Sequence, residues 1–528
     1  MGHFLGTIVV APNKNNPHIL DLIDGQQRST TIFMLRIALY IKASKYVRNI
    51  NKFLDDDDSL RLRVIDKNKA FFDKIIESLK NRKLDSTLEN EVSTQGQKRL
   101  YEVAKSILDK LSSIDEAQAE SYRQSLDKMI LMMLKEGDSG KAIRMFQSVN
   151  DHGVPLSLLD KLKSLLILYS NKFCGGELDE EINKRFGEIF TVVLKIQEHK
   201  VVPIDKDFSK CTEDRIFNYH AYGYRIANGT IGHYTYGANE SYETLKKELK
   251  ELQKEKLKEW LDNYSSDLLA FYKGFYEVMK MSVNSVEAFK FFMVLRASPF
   301  FYNALIRCYI NGFLDEEVFK LFNQAEVLFF GFGSDNRVSV YKLFEIATTK
   351  ETFKDGLVSV LKGKRVGKGG YNNGYSSFED AINDIWRDSF EWGKYFYYTF
   401  LTYHSKNMDT NALWKLVKDK TFNKQIEHII PQNAINNGLL ERYGFKDEDD
   451  FNSLKNTFGN LLSLEAPLNS AADDKDLIAK KDEYKKSSIS YNREFANSPT
   501  FLNFNKETIK QENQNFKKWA LEYFKEFL

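Results

Sequence analysis

The stretch QIEHIIPQN (425–433), read with FGNLLSLEAPLNS (458–470), decides the fold at the C-terminal end of this chain. The first segment reads as a short strand that ends in a His and is closed by Pro431, which cannot donate to a ladder. The second reads as a strand that passes into a helix. A carboxylate–His pair, Glu427-His428, is therefore followed by Asn460 and, nine residues later, by Asn469. Successive residues of a regular strand face opposite sides, so Glu427 and His428 share one site only if the strand ends or bulges there.

Residues of these types at this spacing suit phosphodiester cleavage at an HNH-type ββα-metal site. A base near neutrality must take a proton from water, and a neutral imidazole can do so. A hard cation stabilises the developing charge. Mg²⁺ prefers oxygen ligands and keeps several waters, so one carboxylate and one amide oxygen suffice. On these grounds His428 is the expected base. On pattern alone Lys480, between Lys475 and Lys481, reads as a solvated helix face, Tyr484 as core, and Asn460 as a turn residue after Gly459.

EHIIPQ, GNLLSLxxxLN and the later LIAKKDEYKKS (477–487) resemble the C-terminal HNH domain of the GmrSD family of type IV restriction enzymes. EHIIPQ is also similar to the first motif of the HNH domain in CRISPR effectors. The resemblance implies that His428 is the general base, that Asn469 and Glu427 are ligands of Mg²⁺ or Mn²⁺, and that Asn460 braces the loop carrying the site. It also implies that Lys480 meets a phosphate, and it includes Tyr484 and Ser487 in a trailing helix pattern.

A second cluster lies in LIDGQQRSTTIFML (22–35). Residues 4–10 and 18–24 read as strands, and a buried helix follows from about Gln27. Asp24-Gly25 reads as a turn, and a turn feeding a helix N-terminus with Gln26, Gln27 and Arg28 at its mouth is also an anion cradle. In FQSVNDHGVPLSLLDKLKSLLILY (146–169), Leu158, Leu159, Leu162, Leu165, Leu166 and Tyr169 form an apolar helical stripe, and Ser157 with Asp160 fits a variant capping box. The patterns DGQQRxTT (24–31) and FxxxNxxGxxLxxxD (Phe146, Asn150, Gly153, Leu156, Asp160) resemble the N-terminal, ParB-like domain of the same family. The resemblance implies binding and hydrolysis of a nucleotide, GTP in one branch, with Asp24, Gly25, Gln26, Gln27 and Arg28 lining the pocket and Asn150 opposite. Family members carry a YQRxYxW-like segment upstream of the first strand, so the N-terminal domain is expected to lack its usual start.

The remaining features set bounds. With 528 residues, 42% hydrophobic and 28% charged, the chain reads as a globular protein of about three domains. A formal charge of +2 gives no global nucleic-acid signature, so any contact with DNA comes from local patches. Cys174, Cys211 and Cys308 lie far apart, which suits a reducing compartment rather than a zinc knuckle or a disulfide framework. The apolar segment 291–306 is broken by Arg296 and Pro299 and reads as a buried helix pair, not a membrane span. GKRVGKGG (363–370) is one residue short of a P-loop and lacks the Ser/Thr after its Lys, and Asp55–Asp58 lacks calcium-loop spacing.

The expected fold is α+β and mostly helical. An incomplete ParB-like domain spans 1–170, a helical middle 171–394 and an HNH ββα-metal domain 395–528. The expected function is a cytoplasmic, metal-dependent endonuclease or nickase, regulated by an NTP, that cuts modified double-stranded phage DNA, with a second copy of the chain among its expected partners. Two rival readings are an RNA-directed toxin nuclease with the same site and a non-catalytic, nucleotide-gated nucleic-acid-binding protein.

Overall fold

The computed structural model describes residues 4–13, 16, 18–64, 68–135, 157–198, 213–221, 224, 237–332, 343–361, 377–387, 393–404, 425–436 and 438–528. They are mostly helical, with two small sheets. The chain divides into two compact units, Met1–Glu198 with Tyr236–Leu269 and His199–Thr235 with Ala270–Leu528. No helix among the described residues is long and apolar enough to cross a membrane.

In the first unit the expected strands form as β1 (Phe4–Pro12) and β2 (Leu20–Asp24), paired antiparallel with a bulge at Val9/Val10. Helix α1 (Gln26–Lys42) follows at once and buries Met34, Ile37, Leu39 and Tyr40. Helices α2 (Lys69–Lys80), α3 (Gln95–Ser112) and α4 (Glu116–Asp127) close the core around it with Phe71, Phe72, Ile75 and Ala104. A polar clamp joins α1 to α4: Tyr40 donates to Asp127 at 2.7 Å, and Arg36 and Arg123 pair with the same carboxylate at 2.9 and 2.7 Å.

The chain then forms a third strand, β3 (Ile130–Lys135), parallel to β1, giving the sheet order β2-β1-β3. From about Gln27 to residue 170 the sequence reads as mostly helical, and this strand departs from that reading. ILMML does not alternate, and a short apolar run cannot be told from buried helix by its period. Helix α5 (Leu158–Cys174) begins at Ser157, whose hydroxyl accepts from the Asp160 amide at 3.2 Å, as the capping signature requires. Ser157 is therefore the cap, and its hydroxyl also donates to the Asp160 carboxylate at 2.9 Å. Helices α6 (Asp179–Glu198), α7 (Ala238–Glu251) and α8 (Lys254–Met281) follow, and Arg185 pairs with Asp262 at 2.8 Å.

In the second unit the apolar segment 291–306 breaks where Arg296 takes a φ of +45° and Pro299 starts a new turn before α9 (Tyr302–Ile310). Helix α10 (Glu316–Glu326) packs Phe319 and Phe322 against Phe291 and Phe301, and α11 (Lys394–His404) carries Phe396 and Phe400 to Phe458. Strand β4 (Gln425–His428) pairs antiparallel with β5 (Leu461–Leu464), setting His428 opposite Leu461. Helices α12 (Ala466–Ala472), α13 (Leu477–Lys486) and α14 (Lys506–Tyr523) complete this part.

Helix α14 fixes the turn into β5. Asn513 accepts from the Gly459 amide at 2.7 Å and donates to the Thr457 hydroxyl at 2.9 Å, while Phe516 stacks on Phe458 with centroids 3.5 Å apart. A Cβ on Gly459 would lie 2.4 Å from the Ile509 carbonyl oxygen, so this position admits only glycine without a shift of backbone. We expect Gly459→Ala to lower the stability of the second unit by roughly 1–3 kcal/mol, the usual cost of forced overpacking. Chemical denaturation checks this, and an unchanged midpoint would mean that α14 yields freely.

Candidate active site

The strand β4 is four residues long, and its two faces meet different neighbours. Gln425 and Glu427 contact α12 and α13, whereas His428 contacts Asn456 and Gln432. The strand ends at His428, with Pro431 three residues on, but it does not bulge, so the alternation holds to its last residue.

His428 is buried, 6% exposed. Its Nε2 lies 2.9 Å from Asn456 Oδ1, and the Gln432 amide nitrogen lies 3.1 Å from its Nδ1. Burial pushes its pKa down to about 4; Lys480 and Lys455 add to this, and the Asn456 hydrogen bond and the Asp474 carboxylate oppose it. The ring is therefore neutral at physiological pH, which a proton acceptor requires.

Asn460 is fully buried and ties three pieces of backbone together. Its Oδ1 accepts from the Ile430 amide at 2.9 Å, its Nδ2 donates to the Lys455 carbonyl at 2.9 Å, and its own carbonyl accepts from the Ile429 amide at 2.8 Å. It touches the backbone just after His428 and just before Asn456, so it holds the two ends of the His428–Asn456 contact. Asn460 acts here through position, not chemistry.

Glu427 points to the helices. Lys480 on α13 donates to Glu427 Oε1 at 2.6 Å and to the His428 carbonyl at 2.7 Å, and Tyr484, one turn on, donates to the same Oε1 at 2.8 Å. Burial pushes the Glu427 carboxyl up, and the Lys480 ammonium and the Tyr484 hydroxyl pull it back. Glu427, expected as a metal ligand, lies on the face of β4 that it shares with Gln425, the partner of Asn469, and its Oε1 is held by Lys480 and Tyr484. Lys480, expected at a phosphate, is 1% exposed and paired. Ser487 is also internal: its hydroxyl donates to Glu465 at 2.9 Å. The trailing pattern Lys480, Tyr484, Ser487 thus ties α13 to β4 and to the residue after β5.

Asn469 on α12 donates its amide to Gln425 Oε1 at 2.8 Å, and its own Oδ1 is buried without a hydrogen-bond partner among the described residues. An amide oxygen left open in this way is a donor that a hard cation accepts. No group of three or more His, Cys, Asp or Glu that can hold a metal occurs among the described residues.

In the first unit, Gly25 takes φ +83° between β2 and α1, and a Cβ there would fall 2.4 Å from Ile8 Cγ2. The turn is thus reserved for glycine on two counts. Helix α1 has no side-chain cap and no acidic residue in its first turn. Gln26, Gln27 and Arg28 are exposed; Gln26 donates to the Leu22 carbonyl at 2.8 Å, and the Arg28 guanidinium folds back onto the Thr7 carbonyl over Gly6. Asp24 ends β2 opposite Val9. Asn150, with Phe146, Gly153 and Leu156, lies outside the described residues, as does the loop 363–375.

Two partners of His428 escape the sequence reading. Gln432 stands inside the quoted motif, four residues after His428, but its amide carries no chemical signature of its own. Asn456 is 28 residues away in sequence, on a turn with no periodic relation to the strand.

Against known protein families, residues 1–167 match the GmrSD restriction endonuclease N-terminal domain, and residues 375–519 match the GmrSD restriction endonuclease C-terminal domain. No curated protein matches the chain.

Removing one member of a buried pair strands the other, at a cost of about 3–5 kcal/mol. We therefore expect Lys480→Met to destabilise the second unit by about that much, and Glu427→Gln combined with Lys480→Met to restore most of it. A denaturation double-mutant cycle measures this. A Lys480→Met protein of wild-type stability that had lost only DNA affinity would return Lys480 to the substrate.

Proposed function

We propose, from the premise that this chain belongs to the GmrSD restriction endonucleases, that His428 is the general base of a DNA phosphodiester hydrolase. The single observation that carries the assignment is a neutral, buried imidazole held between two amides at the end of a two-stranded turn. In this reading His428 takes a proton from a water molecule, the water oxygen bonds to phosphorus, and the leaving sugar oxygen departs with the electron pair of its broken P–O bond. Asn469, on the Glu427 side of β4, would hold Mg²⁺ or Mn²⁺ through its open Oδ1. When bound, the cation supplies charge neutralisation at the phosphate and the leaving oxygen. Glu427 serves in this reading as the anion that keeps Lys480 beneath the His428 carbonyl.

The family places the activity in restriction, and duplex DNA is the substrate we propose, modified phage DNA in particular. The RNA-directed reading has no observation in its favour beyond the same base. We expect wild-type protein with Mg²⁺ to cut or nick duplex DNA, His428→Ala to lose at least about a hundredfold in rate, the lower range for a positioned base, and chelation by EDTA to abolish cleavage. Cleavage of structured RNA with duplex DNA left intact would sink the restriction reading. Equal rates for His428→Ala and wild type would sink the assignment of the base.

We further propose that the β2–α1 turn binds the phosphates of an NTP, GTP by the family resemblance, and so regulates the nuclease. The support is an uncapped, acid-free helix N-terminus of 17 residues with an exposed guanidinium beside it. Arg28→Ala is expected to weaken GTP binding about tenfold, the loss of roughly one charge-assisted hydrogen bond. Unchanged calorimetric affinity removes Arg28 from the pocket.

A further inference from the structure

We propose that Asn456 is a positioning residue of the nuclease site: it sets the tautomer of His428 so that Nδ1, not Nε2, is the basic nitrogen. The inference rests on the reading of His428 as the base and names the group that orients it.

The contact with Asn456 gives the answer. Asn456 presents its carbonyl oxygen, which can only accept, to Nε2 at 2.9 Å, so Nε2 carries the proton and Nδ1 the lone pair. The Gln432 amide nitrogen lies 3.1 Å from Nδ1 and 3.3 Å from Nε2, so it does not choose between the two. In a neutral imidazole one nitrogen donates and the other accepts, and the hydrogen bond made by one decides the role of the other. The Asn456 contact is therefore the part of the site that selects which nitrogen faces the water.

Asn456 is well placed for this. The Lys455 carbonyl accepts from Asn460 Nδ2 at 2.9 Å, and Asn460 Oδ1 accepts from the Ile430 amide at 2.9 Å. The backbone before Asn456 and the backbone after His428 are thus bonded to the same side chain, and the distance between the two partners is fixed. The acceptor is neutral. A carboxylate at this position would favour the imidazolium, whereas an amide orients the ring without charging it.

The test uses full-length protein labelled with ¹⁵N-histidine, the His428 signals being assigned by their loss in His428→Ala. In wild type we expect the protonated, pyrrole-type signal on Nε2 and the imine-type signal on Nδ1. Asn456→Ala should mix the two tautomers and lower kcat about tenfold to a hundredfold, with KM within about twofold, a part of what a positioned base contributes. Asn456→Gln, which keeps a neutral acceptor oxygen on a longer arm, should recover the Nε2–H signature and part of the lost kcat. A wild-type spectrum with the proton on Nδ1 overturns the proposal, as does Asn456→Ala with unchanged tautomer and unchanged kcat. The spectrum is read on resting protein, so it stands whether or not a given DNA is cut. Loss of the base assignment shows separately, as cleavage by His428→Ala at the wild-type rate.

Discussion

The alternation of one short strand governs the second unit. β4 has four residues, and because it stays regular to its end, adjacent Glu427 and His428 must face opposite ways. One becomes the scaffold and the other the site. Glu427 goes to the helix side, where burial of its charge is tolerable only with a cation and a hydroxyl in contact. Lys480 and Tyr484 provide them from one face of α13, four residues apart. Lys480 then reaches past the carboxylate to the His428 carbonyl, so the ion pair holds the backbone of the residue that looks the other way. A buried pair of this kind adds little net stability over an apolar replacement. What it adds here is geometry, a helix and a strand end held in one register.

The environment of His428 follows from that arrangement. Its polar neighbours on the site side are two uncharged amides, Asn456 and Gln432, while the Lys480 charge lies behind its carbonyl. Burial and that positive charge both work against protonation, and the Asn456 hydrogen bond and the Asp474 carboxylate oppose them. A base so placed gives up strength in exchange for being unprotonated, and a cation bound nearby would meet that demand by lowering the pKa of the water it has to deprotonate.

Much of this was legible in the sequence, for reasons that can be located. Strands β1, β2, β4 and β5 are bounded by Pro, Gly or a change of period, and helices α1 and α5 begin where Gly25 and Ser157 say they do. Asn460 was expected to brace a loop, and its buried contacts are of that kind. Strand β3 was not legible, because ILMML has no alternation and takes its identity from pairing with β1. Lys480 was misread because three lysines in seven positions look like a solvated face, and burial depends on what packs above α13. Asn456 was hidden for a different reason: a turn residue's contact with a strand end is decided by tertiary closure, here through Asn460 and α14.

The two ends of the chain use the same construction with opposite electrostatics. In each, a short strand runs into a helix through one residue, Gly25 before α1 and Glu465 before α12, and in neither does that residue cap the helix with its side chain. At α12 the carboxylate at the junction is buried, bonded to the hydroxyl of Ser487 and the amide of Ser488, so a negative charge already sits beside the helix start. An approaching phosphate would meet that charge before it met the helix amides. At α1 the junction has no side chain at all, the first turn has no acid, and the Arg28 guanidinium within that turn is exposed. That guanidinium rests on a neutral carbonyl, and a hydrogen bond to an anion is roughly twice as strong as one to a neutral acceptor. A phosphate arriving at α1 would therefore compete with a weaker partner for the guanidinium, which lies against Gly6, where a Cβ would fall 3.0 Å from its carbon. The same strand-to-helix junction is thus closed to anions where the chain is proposed to cut and open to them where it is proposed to bind a nucleotide.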